Sequence, residues 1–144
     1  IISKKILFNL KRPIVNLHMS YLPYNRGAHP NYWSLVENTP SGITIHEIDQ
    51  GIDTGPIIFQ KKIKFNTSLK PHNTFKKTYK ILKKEIEKLF MFNFNIIEKN
   101  KYKVKRQLKK NSTFHSKKQL PKKVNNWNIN IDQYKKTLKS KSKN

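Results

Sequence analysis

Between Asn73 and Asn100 the sequence carries one long amphipathic pattern, and it limits the folds open to the chain more than any other feature. Phe75, Tyr79, Leu82, Ile86, Leu89 and Asn93 recur at intervals of three or four, with lysines on the other faces. That spacing predicts a helix of about six turns with one apolar face. Such a face must be covered, and the strand-like segments that precede it are the available cover.

Three segments read as strands. "IVNL", Ile14 to Leu17, follows Pro13 and is a short apolar, β-branched run. This suits a strand covered on both faces, as in a parallel sheet. "ITIHEI" alternates, with Ile43, Ile45 and Ile48 apolar and Thr44 and His46 facing away; "IIFQKKIKF" alternates well enough for another strand. Residues 1–12, with Ile1, Ile2, Ile6, Leu7 and Leu10 at roughly helical spacing, read as the tail of a preceding unit. "NYWSLVEN" reads as a short helix capped by Asn31. The expected class is therefore α/β. Residues 1–98 form its folded part, and residues 99–144 form a lysine-rich extension whose end, from Tyr134, is a frayed or disordered tail.

Charge sharpens that division. The net charge is +23 over 144 residues. Residues 1–60 hold five basic side chains (Lys4, Lys5, Lys11, Arg12, Arg26) and four acidic ones, which leaves +22 to the rest. In that remainder Arg106 is the only arginine. Base and phosphate readers lean on arginine for bidentate contacts, so nucleic acid is a possible partner but not the favoured one. A solvated lysine surface accounts for the charge. No apolar run is long enough to span a membrane. The chain has no cysteine, so neither a disulfide nor a thiolate metal site is available.

The polar residues that invite chemistry begin where the first strand ends. In open α/β sheets that is where ligands bind. In "NLHMSYLPYNRG", Asn16 and His18 are two apart in a strand and share a face. Two readings are open at this point: a hydrogen-bonded pair securing the following loop, or a pair aimed at a substrate. Asp53 lies in the Gly-rich connection "DQGIDTGP" and is, taken alone, a turn residue. A calcium loop starting at Asp49 is excluded, because its sixth position is Thr54 and its twelfth is Gln60. His18, His29 and His46 lack metal-ligand spacing, so no metal is expected.

Taken together, "NLHMSYLPYNRGAHPNYWS" and "SGITIHEIDQGIDTGPII" resemble the formyltransferase family that uses 10-formyltetrahydrofolate. The likeness covers about residues 1–65 and is closest to the sugar N-formyltransferases. "STFHSKKQL" is similar to a later segment of theirs, with Ser112 and Gln119 departing from it. The resemblance implies a partial Rossmann-like fold: the last parallel strand, the β-strands that follow it and the long helix. The family's amino-terminal half lies outside this sequence. It implies a catalytic trio of Asn16, His18 and Asp53, in which Asp53 raises the pKa of His18. It implies acceptor contacts from Ser20, Arg26, Gly27, Asn31 and Trp33, with Ser20 as a loop-stabilising hydroxyl. It implies folate contacts from Ile2, Asp49, Gly51 and Ile52. The implied reaction is formyl transfer from 10-formyltetrahydrofolate to the amine of a nucleotide-linked sugar, in the cytoplasm, by a possible homodimer. Methionyl-tRNA formylation, formyltetrahydrofolate hydrolysis and an inactive remnant are the alternatives.

Overall fold

The computed structural model describes residues 2–108, 110–121, 124 and 126–141. Ile1 of the first apolar run and residues 142–144 of the expected tail lie outside them.

Three strands form the central sheet: β1 (Val15–His18), β3 (Gly42–Glu47) and β4 (Ile57–Lys62), in the order β1-β3-β4. Between β1 and β3 run the two-residue β2 (Arg26–Gly27) and the helix α2 (Pro30–Val36). Both pairings in the central sheet are antiparallel. The expectation for "IVNL" is corrected here. It is a strand, but its partner is antiparallel, and β1 has no parallel neighbour among the described residues. Burial on both faces fails as well: Leu17 is 39% exposed, so an apolar β-branched run fixes neither full cover nor the direction of the neighbouring strand.

β3 is the middle strand and is buried on both faces. Ile43 and Ile45 point to one side, where Leu82, Ile86 and Ile97 of α3 (Phe75–Glu98) cover them. Thr44 and His46 point to the other side and are also buried. The alternation of β3 thus separates two buried faces rather than a buried face and a wet one.

α3 starts at Thr74, whose hydroxyl accepts from the Lys77 amide. Its buried residues are Phe75, Thr78, Leu82, Ile86, Asn93 and Ile97. Tyr79, expected on this face, is 45% exposed; Thr78 takes the place. The Thr78 hydroxyl donates back to the carbonyls of Thr74 and Phe75, which satisfies it inside the core.

Two other expectations change. α2 is capped at His29, in a left-handed conformation, and not at Asn31. Pro30 occupies the first helical position, which suits its fixed φ and missing N–H. Asn31 therefore falls inside the helix, and its amide donates to the Phe75 carbonyl. The residues after 98 are also more ordered than their composition suggests. Ile57 bridges Lys105, and β5 (Phe114–His115) pairs parallel with β2. The stretch from Tyr134 is helical as part of α4 (Ile131–Lys141). Ile131 and Tyr134 join Tyr32, Leu35, Phe75 and Val124 in one apolar cluster. α1 (Lys4–Asn9), capped by Ser3, confirms the helical spacing near the start, but none of its residues is buried.

Candidate active site

The site is assembled by strand register. In the β1–β3 ladder Asn16 stands opposite His46, and His18 opposite Thr44. Cross-strand partners project to the same face, so Asn16, His18 and His46 gather on the side of the sheet away from α3. The loop after β3 then folds back over this face. Asp49 shapes that loop, with Oδ1 accepting from the Gly51 amide at 3.0 Å and the Thr54 hydroxyl at 2.5 Å. Gln107 tethers its far end, donating to the carbonyls of Asp53 and Gly55 at 2.9 and 2.8 Å.

Asp53 sits at φ +53° and points its carboxylate into the group. Oδ1 accepts from the Asn16 amide at 3.1 Å, and Oδ2 from the Gly27 backbone N–H at 2.9 Å. His18 Nδ1 lies 3.7 Å from Oδ2, and His46 Nε2 lies 3.5 Å from Oδ1. The other ring nitrogens face backbone carbonyls: His18 Nε2 faces Asn25 at 3.1 Å and His46 Nδ1 faces Glu47 at 2.7 Å. A carbonyl can only accept, so those two nitrogens carry hydrogens. That leaves His46 Nε2 able to accept the second Asn16 amide hydrogen, at 3.2 Å. Both hydrogens of one amide are thereby engaged, and the orientation of Asn16 is fixed from two sides.

The electrostatics correct one expectation. Burial is the largest influence on His18 and pushes its pKa below the ordinary 6.5; the Asp53 charge and the Asn25 carbonyl push the other way and do not overcome it. His18 is thus biased toward the neutral form, not toward imidazolium. Burial pushes the Asp53 pKa upward, but the neighbouring His46 and His18 rings and the Gly27 N–H outweigh it and bring it down to about 2. The carboxylate is ionised throughout the neutral range.

Beside this group lies a cleft of about 220 Å³ lined by Ile2, Asn16, His46, Ile48, Asp49, Gly51, Ile52 and Asp53. All four residues singled out for folate therefore border the same space as Asn16 and Asp53. The acceptor-side residues are more scattered. Gly27 touches Asp53 directly. Ser20 is buried, its hydroxyl donating to the Tyr24 carbonyl. Arg26 lies in β2 with a buried Nε that has no hydrogen-bond partner. Trp33 stacks on His115, with ring centroids 4.0 Å apart. Asn31 borders a different and larger cavity. Two members of the assembly were missed in the sequence. In the sequence His46 reads as a strand residue facing away and, with His18 and His29, as lacking metal-ligand spacing; its place opposite Asn16 follows once β1 and β3 are paired. Gln107 lies in a stretch with no readable pattern, and nothing in the sequence marks it.

A family model described as formyl transferase matches residues 1–91. The chain belongs to the formyl transferase family. This family member resembles the crystal structure of the formyltransferase PseJ from Anoxybacillus kamchatkensis, in complex with UDP-4,6-dideoxy-4-formamido-L-AltNAc and tetrahydrofolate. The TM-score is 0.82 and the identity 37%, over 92% of this chain and 70% of that one. It is 46% identical over 67 residues to methionyl-tRNA formyltransferase of Thermodesulfovibrio yellowstonii, covering 46% of this chain and 22% of the relative. It is 48% identical over 48 residues to dTDP-4-amino-4,6-dideoxyglucose formyltransferase of Mycobacterium tuberculosis, covering 33% and 20%. These matches span about a fifth of the curated relatives' length. Among the described residues, no helix of this family member is long and apolar enough to cross a membrane.

Proposed function

We propose that this family member transfers the formyl group of 10-formyltetrahydrofolate to the amine of a nucleotide-linked amino sugar. The observation that carries the reading is the convergence of Asn16, His46 and Asp53 on one cleft, whose other walls are Ile2, Ile48, Asp49, Gly51 and Ile52, with His18 buried behind them against Asp53. The likeness to PseJ favours a sugar amine as acceptor.

The cleft suits one end of such a donor. Ile2, Ile48 and Ile52 offer apolar walls to a flat ring, and Gly51 presents no side chain. At about 220 Å³ it falls below the roughly 300–1,000 Å³ of sites that enclose a whole small molecule. The remainder of the donor extends beyond these walls.

The donor supplies a formyl carbon whose oxygen gains negative charge as the amine adds. Asn16 then exchanges one of its two engaged hydrogens for that oxygen, a contact worth a few kcal/mol in the transition state. His46, as acceptor of the other hydrogen, keeps the amide in place. His18, largely neutral before the reaction, can take the proton that the attacking amine loses, and the adjacent Asp53 carboxylate stabilises the imidazolium so formed. The new C–N bond forms first; the bond from the formyl carbon to the donor nitrogen then breaks, and that nitrogen leaves with the proton returned by the His18 imidazolium. No side-chain nucleophile is needed.

The test is incubation of the protein with 10-formyltetrahydrofolate and a UDP- or dTDP-linked 4-amino-4,6-dideoxy sugar, with the formamide product followed by mass spectrometry. Product that is lost in Asp53→Asn supports the reading. A second reading, methionyl-tRNA formylation, is favoured by the identity to the T. yellowstonii enzyme. Preferential formylation of charged initiator tRNA would establish it and overturn the sugar assignment. Formate released without any amine would point to hydrolysis instead.

A further inference from the structure

Two short stretches after α3, 105–107 and 113–115, return to the catalytic group. The first carries Gln107, which donates to the carbonyls of Asp53 and Gly55. The second pairs with β2. There the Arg26 N–H donates to the Thr113 carbonyl at 3.0 Å and the Ala28 N–H to the His115 carbonyl at 2.8 Å. Alternate amides of a strand point to opposite edges, so the Gly27 N–H is turned away from β5 and toward Asp53 Oδ2.

Asn25, one residue before β2, links the same stretch to His18. It is fully buried and left-handed, at φ +55°, a conformation that Asn adopts more readily than most side chains. Its N–H donates to the Thr113 hydroxyl at 2.7 Å, and that hydroxyl donates to its Oδ1 at 3.4 Å. Its side-chain amide donates to the Thr39 hydroxyl at 2.8 Å. The remaining polar group, the backbone carbonyl, accepts the hydrogen of His18 Nε2 at 3.1 Å. With Nε2 so occupied, the neutral ring can take a proton only at Nδ1, which faces Asp53 Oδ2 at 3.7 Å.

We infer that Thr113 is a positioning residue for His18, acting through Asn25: its hydroxyl fixes the carbonyl that keeps the ring hydrogen on Nε2 and leaves Nδ1 free to take the proton of the attacking amine. The amine N–H bond breaks, an Nδ1–H bond forms beside Asp53 Oδ2, and the same proton later passes to the departing donor nitrogen. The catalytic part of this inference rests on the proposed formyl transfer, whereas the tautomer of His18 is observed without any substrate.

Thr113→Val keeps the shape of the side chain and removes the hydroxyl, while Thr113→Ser keeps the hydroxyl. Nitrogen NMR of the imidazole rings at mildly alkaline pH reads the tautomer, with the His18 signals assigned by their absence in His18→Gln. The parent and Thr113→Ser are expected to show hydrogen on Nε2, and Thr113→Val a mixture of both tautomers. In Thr113→Val kcat for formyl transfer should fall about tenfold with KM changed by less than about twofold, and Thr113→Ser should restore it. An unchanged circular dichroism spectrum verifies that both variants fold. Hydrogen on Nδ1 in the parent, an Nε2–H tautomer that persists in Thr113→Val, or a loss of kcat that Thr113→Ser does not reverse overturns the inference. A parent protein that transfers no formyl group overturns the proposed function instead, and the tautomer comparison then decides this inference alone.

Discussion

The Asn16 amide nitrogen lies 3.1 Å from the Asp53 carboxylate and 3.2 Å from His46 Nε2, so one group of two hydrogens joins a strand partner to a loop thirty-seven residues away in sequence. Removing it leaves Asp53 and His46 facing each other without a donor between them. Asn16→Ala is therefore expected to lower kcat for formyl transfer by about 10²–10³. Steady-state kinetics check this, and a fall confined to KM would contradict it.

His46 acts through Asn16 and is a positioning residue. His46→Phe removes the acceptor that orients the amide and should lower kcat by about 10²-fold with KM little changed, as expected for a small misplacement. His46→Gln retains an acceptor and should recover part of the loss. Equal loss in the two variants would count against the orienting role.

The depressed pKa of His18 has a consequence for stability. Below 6.5 the unfolded chain takes up a proton that the buried ring resists, so stability is fully present above 6.5 and is lost as pH falls toward the folded value. The slope from this single group is at most about 1.4 kcal/mol per pH unit. Asp53 contributes in the same direction at lower pH, between 3.8 and about 2. Urea unfolding across the mildly acidic range should show a shallower pH dependence for His18→Gln than for the parent protein.

Gly27 has φ +89°, and a Cβ there would meet the His115 carbonyl and the Phe114 ring. The same residue's N–H holds Asp53 Oδ2. Gly27→Ala is expected to cost about 1–3 kcal/mol from the strained φ and also to reduce formyl transfer through the displaced carboxylate. The midpoint of urea denaturation and the turnover rate should fall together; a stable, fully active variant would show that the β2–β5 contact yields easily.

Local rules of spacing had already located much of this molecule. The intervals between Phe75 and Asn93 placed α3, and the alternation around Ile43 and Ile45 placed β3. Those two features are legible because helix and strand periods are properties of a few consecutive residues. Asn16, His18 and Asp53 are marked instead by the resemblance of their segments to a family pattern. Long-range packing decided the rest. The antiparallel partner of β1 brought His46 against Asn16, the fold-back of the 48–56 loop brought Asp53 to both, and Gln107 fixed that loop from a stretch with no pattern. Burial of His18 reversed the sign expected for its pKa, since desolvation depends on everything packed around a ring and not on the one charge beside it. Tyr134 and Ile131 became core in a lysine-rich segment for the same reason: composition fixes an average polarity, and only the tertiary contacts select which few side chains leave water.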